Sequence, residues 1–145
     1  MSNRADGLNY APKGKAKPVV EPGAFYFAAA ELEHGHINGM CNGLTEAGAT
    51  LKWVWDPDPK KVEALLAKFP GAKAARCEQE IFDDPQIQLV AGAAVPAARA
   101  ALGIRAMRAG KDYFTDKTPL TSLEQLDEVK KTVAETGKKY MCYFS

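Results

Sequence analysis

Apolar residues in this chain fall into short uninterrupted runs, separated by longer stretches in which apolar positions recur every three or four residues. Uninterrupted runs without polar alternation are typical of strands that are buried on both faces of a sheet. The two clearest runs are AFYFAAA at residues 24–30 and IQLVAGAAV at residues 87–95. Together with shorter runs, they predict strands at residues 24–30, 51–55, 72–75, 87–95, 112–115 and 139–144.

The stretches between these strands carry the pattern of amphipathic helices. In the first stretch, Ile37, Met40 and Leu44 share one side of such a helix. Near the C-terminus, Ser122 followed by Gln125 forms a capping box that starts another helix. The pattern predicts helices at residues 37–47, 60–69, 98–109 and 123–136, with a short helical turn at residues 79–83.

Strands and helices alternate along the region from residue 24 to residue 145. This alternation, with strands that are apolar throughout, predicts an α/β fold whose parallel sheet is covered on both faces. Right-handed crossovers leave few topologies, and we predict a single domain with the doubly wound dinucleotide-binding fold, the Rossmann fold. Residues 1–23 contain Pro12, Pro18 and Pro22 with almost no periodicity, and they predict a flexible N-terminal arm.

Composition places the chain among ordinary globular proteins. Its 145 residues are 46% apolar and 26% charged, with a formal net charge of +1. This charge gives no electrostatic reason to expect nucleic acid or an anionic membrane as a partner, and no run approaches the ~18 apolar residues of a transmembrane helix. The N-terminus lacks the apolar core of a signal peptide, so we expect a cytoplasmic protein. The three cysteines are far apart in sequence and predict reduced thiols.

A ligand of such a sheet lies beyond the carboxyl ends of its strands, so the residues that follow the strands are candidate site residues. Asp56 follows the second strand, 25 positions after Glu31. A carboxylate here can accept hydrogen bonds from both ribose hydroxyls of an adenine dinucleotide, and it repels a 2′-phosphate. NAD is therefore expected rather than NADP, although Lys60 and Lys61 weaken this preference. Asp56 is also placed to be a helix N-cap ahead of Pro57, and the two roles are compatible.

The turn after the first strand does not have the usual phosphate-binding sequence. A Gly-x-Gly-x-x-Gly turn lets a diphosphate approach the backbone and rest on the N-terminus of the next helix. Here residues 31–39 contain only Gly35 and Gly39, whereas Glu31 and Glu33 would repel a diphosphate. Each repulsion costs on the order of 1 kcal/mol or more in a partly desolvated site. Taken alone, this turn is not predicted to bind phosphate.

His34 and His36 are the only histidines of the chain, and both lie in this turn. A His-x-His pair can begin a metal site, but no third ligand stands at an obvious spacing, so no metal is predicted. The two rings are expected to donate hydrogen bonds to the phosphates or ribose of a ligand, or to cap the helix. Trp53 and Trp55 lie near the end of the second strand, and both are expected to pack against other residues.

A short polar segment, Asp116-Lys117-Thr118-Pro119, stands where the fifth predicted strand ends. A lysine held at the mouth of a parallel strand and followed by a proline can donate a charged hydrogen bond or carry a proton. Alone, this segment indicates little, because Lys-x-Pro is common in surface turns.

These strand ends together resemble the N-terminal domain of the glucose-fructose oxidoreductase / inositol dehydrogenase / rhizopine-catabolism (Gfo/Idh/MocA) family of NAD(P)-dependent oxidoreductases. The family's Glu-Lys-Pro signature appears here as Asp116-Lys117-Thr118-Pro119, with a threonine inserted before the proline. The run Asp56-Pro57-Asp58-Pro59 is in the style of the family, and His34-Gly35-His36-Ile37 resembles a branch whose turn reads Gly-Leu-Asp-His-Gly-His. Glu31 and Glu33 replace the first glycine and the aspartate of that branch.

The resemblance implies a nicotinamide cofactor and a role for each of these residues. Lys117 is implied to be catalytic: it would orient the hydroxyl group of a sugar, polyol or related substrate and assist its deprotonation as hydride leaves for the cofactor. Asp56 is implied to hold the adenosine ribose. The residues implied to bind the cofactor are His34, Gly35, His36, Ile37, Asp56, Val95, Pro96, Asp116 and Lys117.

Members of the family carry a second α/β domain that supplies the substrate pocket, whereas this chain ends at Ser145. We therefore expect no C-terminal substrate domain and no turnover by the isolated chain. We also expect self-association through the apolar surface and the strand edge that are left uncovered.

Two other functions stay open. A non-catalytic module for nucleotide binding or protein association would explain the glutamates of the phosphate turn. A transferase that uses a methyl donor would also use Asp56 but leaves Lys117 without a role, and we rank it below the others. The direction of the Glu31 side chain and of the backbone N–H groups at residues 35–37 distinguishes the first two hypotheses.

Overall fold

The computed structural model of the chain describes residues 17–144, which form one six-stranded parallel sheet with helices on both faces. The strands are β1 (Tyr26–Ala30), β2 (Thr50–Trp55), β3 (Lys73–Ala74), β4 (Ile87–Gly92), β5 (Asp112–Asp116) and β6 (Tyr140–Tyr143). The helices are α1 (His36–Glu46), α2 (Pro59–Leu66), α3 (Glu78–Asp83), α4 (Pro96–Arg108) and α5 (Leu123–Thr136).

The strand order is β3-β2-β1-β4-β5-β6, and each neighbouring pair is parallel. This is the doubly wound topology, so the predicted Rossmann fold is confirmed. The order reverses between β1 and β4, and the connections after these strands therefore leave toward opposite faces of the sheet. The reversal opens a crevice at the carboxyl edge, where ligands of open α/β sheets bind.

Two hydrophobic cores lie on the two faces of the sheet. Successive side chains of a strand point to opposite faces, so Phe27 and Ala29 enter one core with α1 and α2. Ala28 and Ala30 enter the other core with α3, α4 and α5. All four side chains are fully buried, which explains why β1 is an uninterrupted apolar run.

Gly103 allows α4 to lie close to the sheet and to the last strand. A Cβ atom at this position would lie 2.4 Å from ring atoms of both Tyr113 and Tyr140. The centroids of these two rings are 5.1 Å apart, in a tilted arrangement. A side chain at position 103 would therefore have to displace one of two packed aromatic rings.

The structure corrects two predicted boundaries close to the candidate site. The predicted strand at residues 87–95 ends at Gly92, and α4 begins at Pro96 rather than at residue 98. Val95 is the N-cap of α4, with an extended backbone (φ −56°, ψ 144°) and half of its surface exposed. A residue before proline is pushed toward this conformation by the proline ring, so the helix starts where Pro96 stands.

Three further expectations concern the N-terminal arm, membrane crossing and the cysteines. Residues 1–16 of the predicted arm lie outside the described residues. In the described part of the arm, the Val19 N–H donates to the carbonyl of Ala47 at the end of α1 (2.8 Å). Between residues 17 and 144, none of the helices has the length and apolar content that a membrane crossing requires. Cys41, Cys77 and Cys142 are free thiols, as predicted.

Candidate cofactor site

The turn after β1 begins with Glu31, whose backbone joins three strand ends. Its φ angle is +55°, in the left-handed region that favours glycine and that the corresponding glycine of a phosphate turn adopts freely. The Glu31 N–H donates to the carbonyl of Trp55 at 3.1 Å, and the Glu31 carbonyl accepts from the N–H of Ala93 at 3.0 Å. These two bonds hold the turn between the end of β2 and the end of β4.

The side chain of Glu31 is directed to the face of the sheet that α3 and α4 cover. Arg105 of α4 lies 3.3 Å from its carboxylate and also contacts Glu78, the first residue of α3. Burial raises the pKa of the Glu31 carboxyl, and the neighbouring carboxylate of Glu78 raises it further, whereas Arg105 opposes both effects. Arg105 therefore binds the Glu31 carboxylate on the face of the sheet opposite to α1. The N-terminus of α1 follows directly after the turn that Glu31 begins.

Glu33, the second carboxylate of the turn, pairs with Lys61 of α2. Both side chains are substantially exposed, and the hydrogen bond that the Lys61 ammonium donates to Glu33 raises the pKa of Lys61. Each of the two glutamates thus has a cationic partner. Neither partner is adjacent in sequence, so the repulsion expected from the sequence is reduced by contacts that only the fold creates.

A cavity of about 410 Å³ opens at the carboxyl edge, between this turn, the loop after β2 and the start of α4. Glu31 and Glu33 line one side, and Trp55 and Asp56 line another, together with Val95. The cavity lies over the crevice between β1 and β4, where the strand order reverses. It is of a size that accommodates a nucleoside-sized ligand.

Asp56 lies at the floor of this cavity and is 8% exposed. Its Oδ2 accepts from the N–H of Leu32 at 2.6 Å, and its Oδ1 accepts from the N–H of Asp58 at 2.8 Å. Because an ionised carboxylate offers about four acceptor positions, two remain for hydroxyl donors. The N-cap of α2 is Asp58, which accepts from the N–H of Lys60, so the alternative that Asp56 caps this helix is wrong.

At the other end of the crevice, Asp116 is 1% exposed and accepts from a cluster of donors on His36, Arg99 and Lys117. The Nδ1 atoms of His36 and His34 lie 2.9 and 3.4 Å from its carboxylate. The N–H of Lys117 donates to Asp116 Oδ1 at 2.8 Å, and Arg99 Nη2 lies 3.3 Å from Oδ2. An ionised carboxylate only accepts, so His36 contributes an Nδ1–H donor here.

Asp116 is a third potential metal ligand beside His34 and His36, and the spacing of these residues in the sequence did not indicate it. The ligand atoms of His34, His36 and Asp116 lie within 4.8 Å of one another. However, His34 Nδ1 accepts from the N–H of His36 (3.2 Å), and the Arg99 guanidinium already balances the charge of Asp116. These contacts favour a hydrogen-bonded cluster. His34 therefore accepts from the first N–H of α1, whose N-cap is Gly35.

Arg99 is a residue of the candidate site to which the sequence assigned no role. Its side chain is buried; Nε donates to the carbonyl of Ala94 at 2.7 Å and Nη1 to the carbonyl of Thr118 at 3.2 Å. With its contact to Asp116, it connects the start of α4 to both sides of Lys117. An arginine among the alanines of an amphipathic helix carries no sequence signal for such a role, because its partners lie in other segments.

Lys117 itself is exposed at the carboxyl edge, next to the donor cluster of Asp116. Its backbone is held from both sides, since its N–H donates to Asp116 and Arg99 binds the following carbonyl of Thr118. The lysine side chain therefore projects from a fixed backbone segment. It lies at the same edge as the crevice.

The profile of the oxidoreductase family with an NAD-binding Rossmann fold, Gfo/Idh/MocA, matches residues 23–144. The chain belongs to the Gfo/Idh/MocA family. It is the NAD-binding Rossmann domain of an oxidoreductase of this family, as the resemblance of its strand ends predicted. A comparison with curated protein sequences finds no match.

Solved structures of the family share the fold. A structure from Erwinia carotovora atroseptica SCRI1043, assigned as an oxidoreductase, is 44% identical with a TM-score of 0.80, over 83% of this chain and 36% of that chain. The WlbA dehydrogenase of Chromobacterium violaceum, solved with NADH and UDP-GlcNAcA, is 20% identical with a TM-score of 0.73. The match covers 88% of this chain and 37% of that chain. Myo-inositol 2-dehydrogenase of Lactobacillus plantarum is 16% identical with a TM-score of 0.70. The match covers 85% of this chain and 36% of that chain. The chain thus spans just over a third of the length of each.

The Gfo/Idh/MocA domain brings most of the sequence-predicted residues to one edge, in two groups. Asp56 and Val95 line the cavity, and Pro96 starts the helix beside it. The second group surrounds the start of α1 and the end of β5, and consists of His34, Gly35, His36, Ile37, Asp116 and Lys117.

Proposed function

We propose that this domain binds NAD along its carboxyl edge. The adenosine would occupy the cavity at Asp56 and Val95, the diphosphate would lie at the start of α1, and the nicotinamide would lie near Asp116 and Lys117. The observation that carries the proposal is the position of Asp56, at the floor of a cavity above the crevice between β1 and β4. Its unused acceptor positions suit the two ribose hydroxyls.

Charge around this cavity supports NAD over NADP. A 2′-phosphate at the ribose would approach the carboxylate of Asp56, whereas Glu31 and Glu33, which line the same cavity, already have cationic partners. Lys61 is engaged by Glu33, which limits its use as a partner for the phosphate. The net field at the ribose position is therefore unfavourable for an additional dianion.

We propose hydride transfer between the nicotinamide and a carbon that bears a hydroxyl group. The nicotinamide, when bound, accepts the hydride of the C–H bond, and the hydroxyl proton leaves at the same time. As the neutral amine, Lys117 would orient this hydroxyl and receive its proton at Nζ, and its fixed backbone supports such a role. The WlbA and myo-inositol relatives, whose names indicate sugar-type substrates, support a sugar or polyol as the substrate class.

A second candidate function is a binding module without catalysis. The observation that favours it is the turn after β1, where Glu31 stands in a left-handed conformation that favours glycine and Glu33 lines the cavity. On this hypothesis, the domain binds a nucleotide weakly or associates with another protein.

A fluorescence titration with NADH and NADPH tests the binding proposal. Trp55 lines the cavity, and Trp53 packs on the face of the sheet below it, so both are donors for energy transfer to reduced nicotinamide. We expect saturable quenching with a lower Kd for NADH than for NADPH. A folded sample that binds neither dinucleotide would favour the second function.

The role of Lys117 is tested in the full-length protein, because this chain spans 36% of its Erwinia relative and turnover is proposed for the whole protein. Lys117→Ala should abolish detectable hydride transfer while the Kd for NADH stays within about threefold, because the proposed contacts of the cofactor's ribose and diphosphate lie at other residues. Near-normal turnover by this variant would remove Lys117 from the mechanism.

A further inference from the structure

The Glu31 carboxylate stands at the lip of the proposed dinucleotide site. It lines the same cavity as Asp56, and the turn that it begins leads directly into α1. An unpaired carboxylate at this place would face the diphosphate of any dinucleotide whose adenosine occupied the cavity. Charge repulsion in a partly desolvated site is strong enough to decide whether such a ligand binds.

Arg105 provides the countercharge, from the last turn of α4. Its Nη2 lies 3.3 Å from Glu31 Oε1, while Nε and Nη2 each lie 2.9 Å from an oxygen of Glu78. The bidentate contact with Glu78 fixes the plane of the guanidinium, because parallel N–H donors match the two oxygens of a carboxylate. The guanidinium is therefore anchored at the start of α3 and presents the second N–H of Nη2 to Glu31.

We propose that Arg105 is a positioning residue for dinucleotide binding: it holds the Glu31 carboxylate against α3 and α4 and so keeps it away from the diphosphate. This inference rests on the proposed function, and it explains how a turn with a glutamate in place of its first glycine can bind a dinucleotide. Glu33 needs no such anchor, because it is exposed and pairs with Lys61 in solvent.

Loss of Arg105 would leave two carboxylates, Glu31 and Glu78, without their shared cation. The two would repel each other, and Glu31 would turn toward the cavity, which is its other open direction. The consequence is specific: binding should fall because of the charge on Glu31, and removal of that charge should restore it. A purely structural role of Arg105 would not give this restoration.

The test uses NADH titrations of four variants alongside the unaltered chain. We expect Arg105→Met to weaken NADH binding about tenfold or more, and the double variant Arg105→Met/Glu31→Gln to return to within about threefold of the unaltered chain. Arg108→Met, which removes an exposed arginine near the end of the same helix, is the control and should leave Kd unchanged. Unchanged binding by Arg105→Met, or a double variant as weak as the single one, would overturn the inference.

The fourth variant, Glu31→Gln alone, keeps the test valid if Arg105→Met does not fold. Since Arg105 already neutralises Glu31, this variant should bind NADH within about threefold of the unaltered chain. Binding that becomes more than about tenfold tighter would mean that Glu31 repels the cofactor despite Arg105, which contradicts the inference. If the unaltered chain itself binds no dinucleotide, the proposed function fails and this inference fails with it.

Discussion

Arg99 and Asp116 form an ion pair inside the protein, with Arg99 Nη2 at 3.3 Å from Asp116 Oδ2 and both side chains almost fully buried. Each nitrogen of the guanidinium donates to this carboxylate or to a carbonyl of the neighbouring loops, at Ala94, Asp116 and Thr118. The pair holds the loop that carries Lys117 against the start of α4. It therefore joins the stability of the fold to the geometry of the proposed site.

Arg99→Met should lower the free energy of unfolding by about 3–5 kcal/mol, because it leaves the buried carboxylate of Asp116 without its cation. Urea denaturation followed by circular dichroism measures the change. Arg108→Met, at an exposed position of the same helix, should change stability by no more than about 0.5 kcal/mol. A loss of less than about 1 kcal/mol for Arg99→Met would show that the pair contributes little.

Asp56→Asn should move cofactor preference toward NADPH. The substitution removes the negative charge at the ribose position while an amide oxygen still accepts one backbone hydrogen bond, so we expect the ratio of NADPH to NADH affinity to rise about tenfold. Asp127→Asn is the control, because it removes an exposed carboxylate of α5 that does not line this cavity. An unchanged ratio for Asp56→Asn, measured by parallel titrations, would place the ribose elsewhere.

Gly103→Ala should destabilise the domain even though alanine is the better helix former. The added methyl group would lie 2.4 Å from the rings of Tyr113 and Tyr140, and relief of such overpacking costs about 1–3 kcal/mol. Gly43→Ala in α1 is the control, since no atom lies within 4 Å of the new Cβ. There, the gain in helix propensity should raise stability by about 0.5–1 kcal/mol. Equal effects at the two glycines, in thermal or urea unfolding, would contradict the packing argument.

Asp84 should contribute to acid unfolding. Burial alone would raise the pKa of its carboxyl, but hydrogen bonds from Lys52 and Trp53 and from the N–H of Gln86 outweigh burial and lower it to about 2. A folded-state pKa below the unfolded value of about 3.9 stabilises the fold above that value, and the stabilisation is lost as pH falls toward 2.

The variant Asp84→Asn tests this dependence. It should be less stable than the unaltered chain at pH 7 by on the order of 1 kcal/mol, with the difference shrinking between pH 4 and pH 2. Urea midpoints measured across this pH range give the comparison. A constant difference at every pH would show that the carboxylate charge is not the cause.

Local sequence determined the elements, because the signals that start and end them lie within a few residues. The helix predicted at residues 123–136 is α5 (Leu123–Thr136), with Ser122 accepting from the N–H of Gln125 and Gly137 in the left-handed conformation at its end. The apolar runs of β1 and β4 likewise required burial on both faces, which leads to a parallel sheet covered by helices. The order of those elements and the residues at the strand ends were sufficient for the fold and the family.

Tertiary structure alone decided which charges meet at the site. His36 and Asp116 are 80 positions apart, and Glu31 and Arg105 are 74 apart, so no spacing rule relates them. The sequence predicted repulsion at the turn because its two glutamates were visible and their partners, Arg105 and Lys61, were not. Electrostatic energy depends on distance in space and on burial, and both are set by how the helices pack on the sheet. For the same reason, the role of Arg99 became apparent only once α4 lay beside the end of β5.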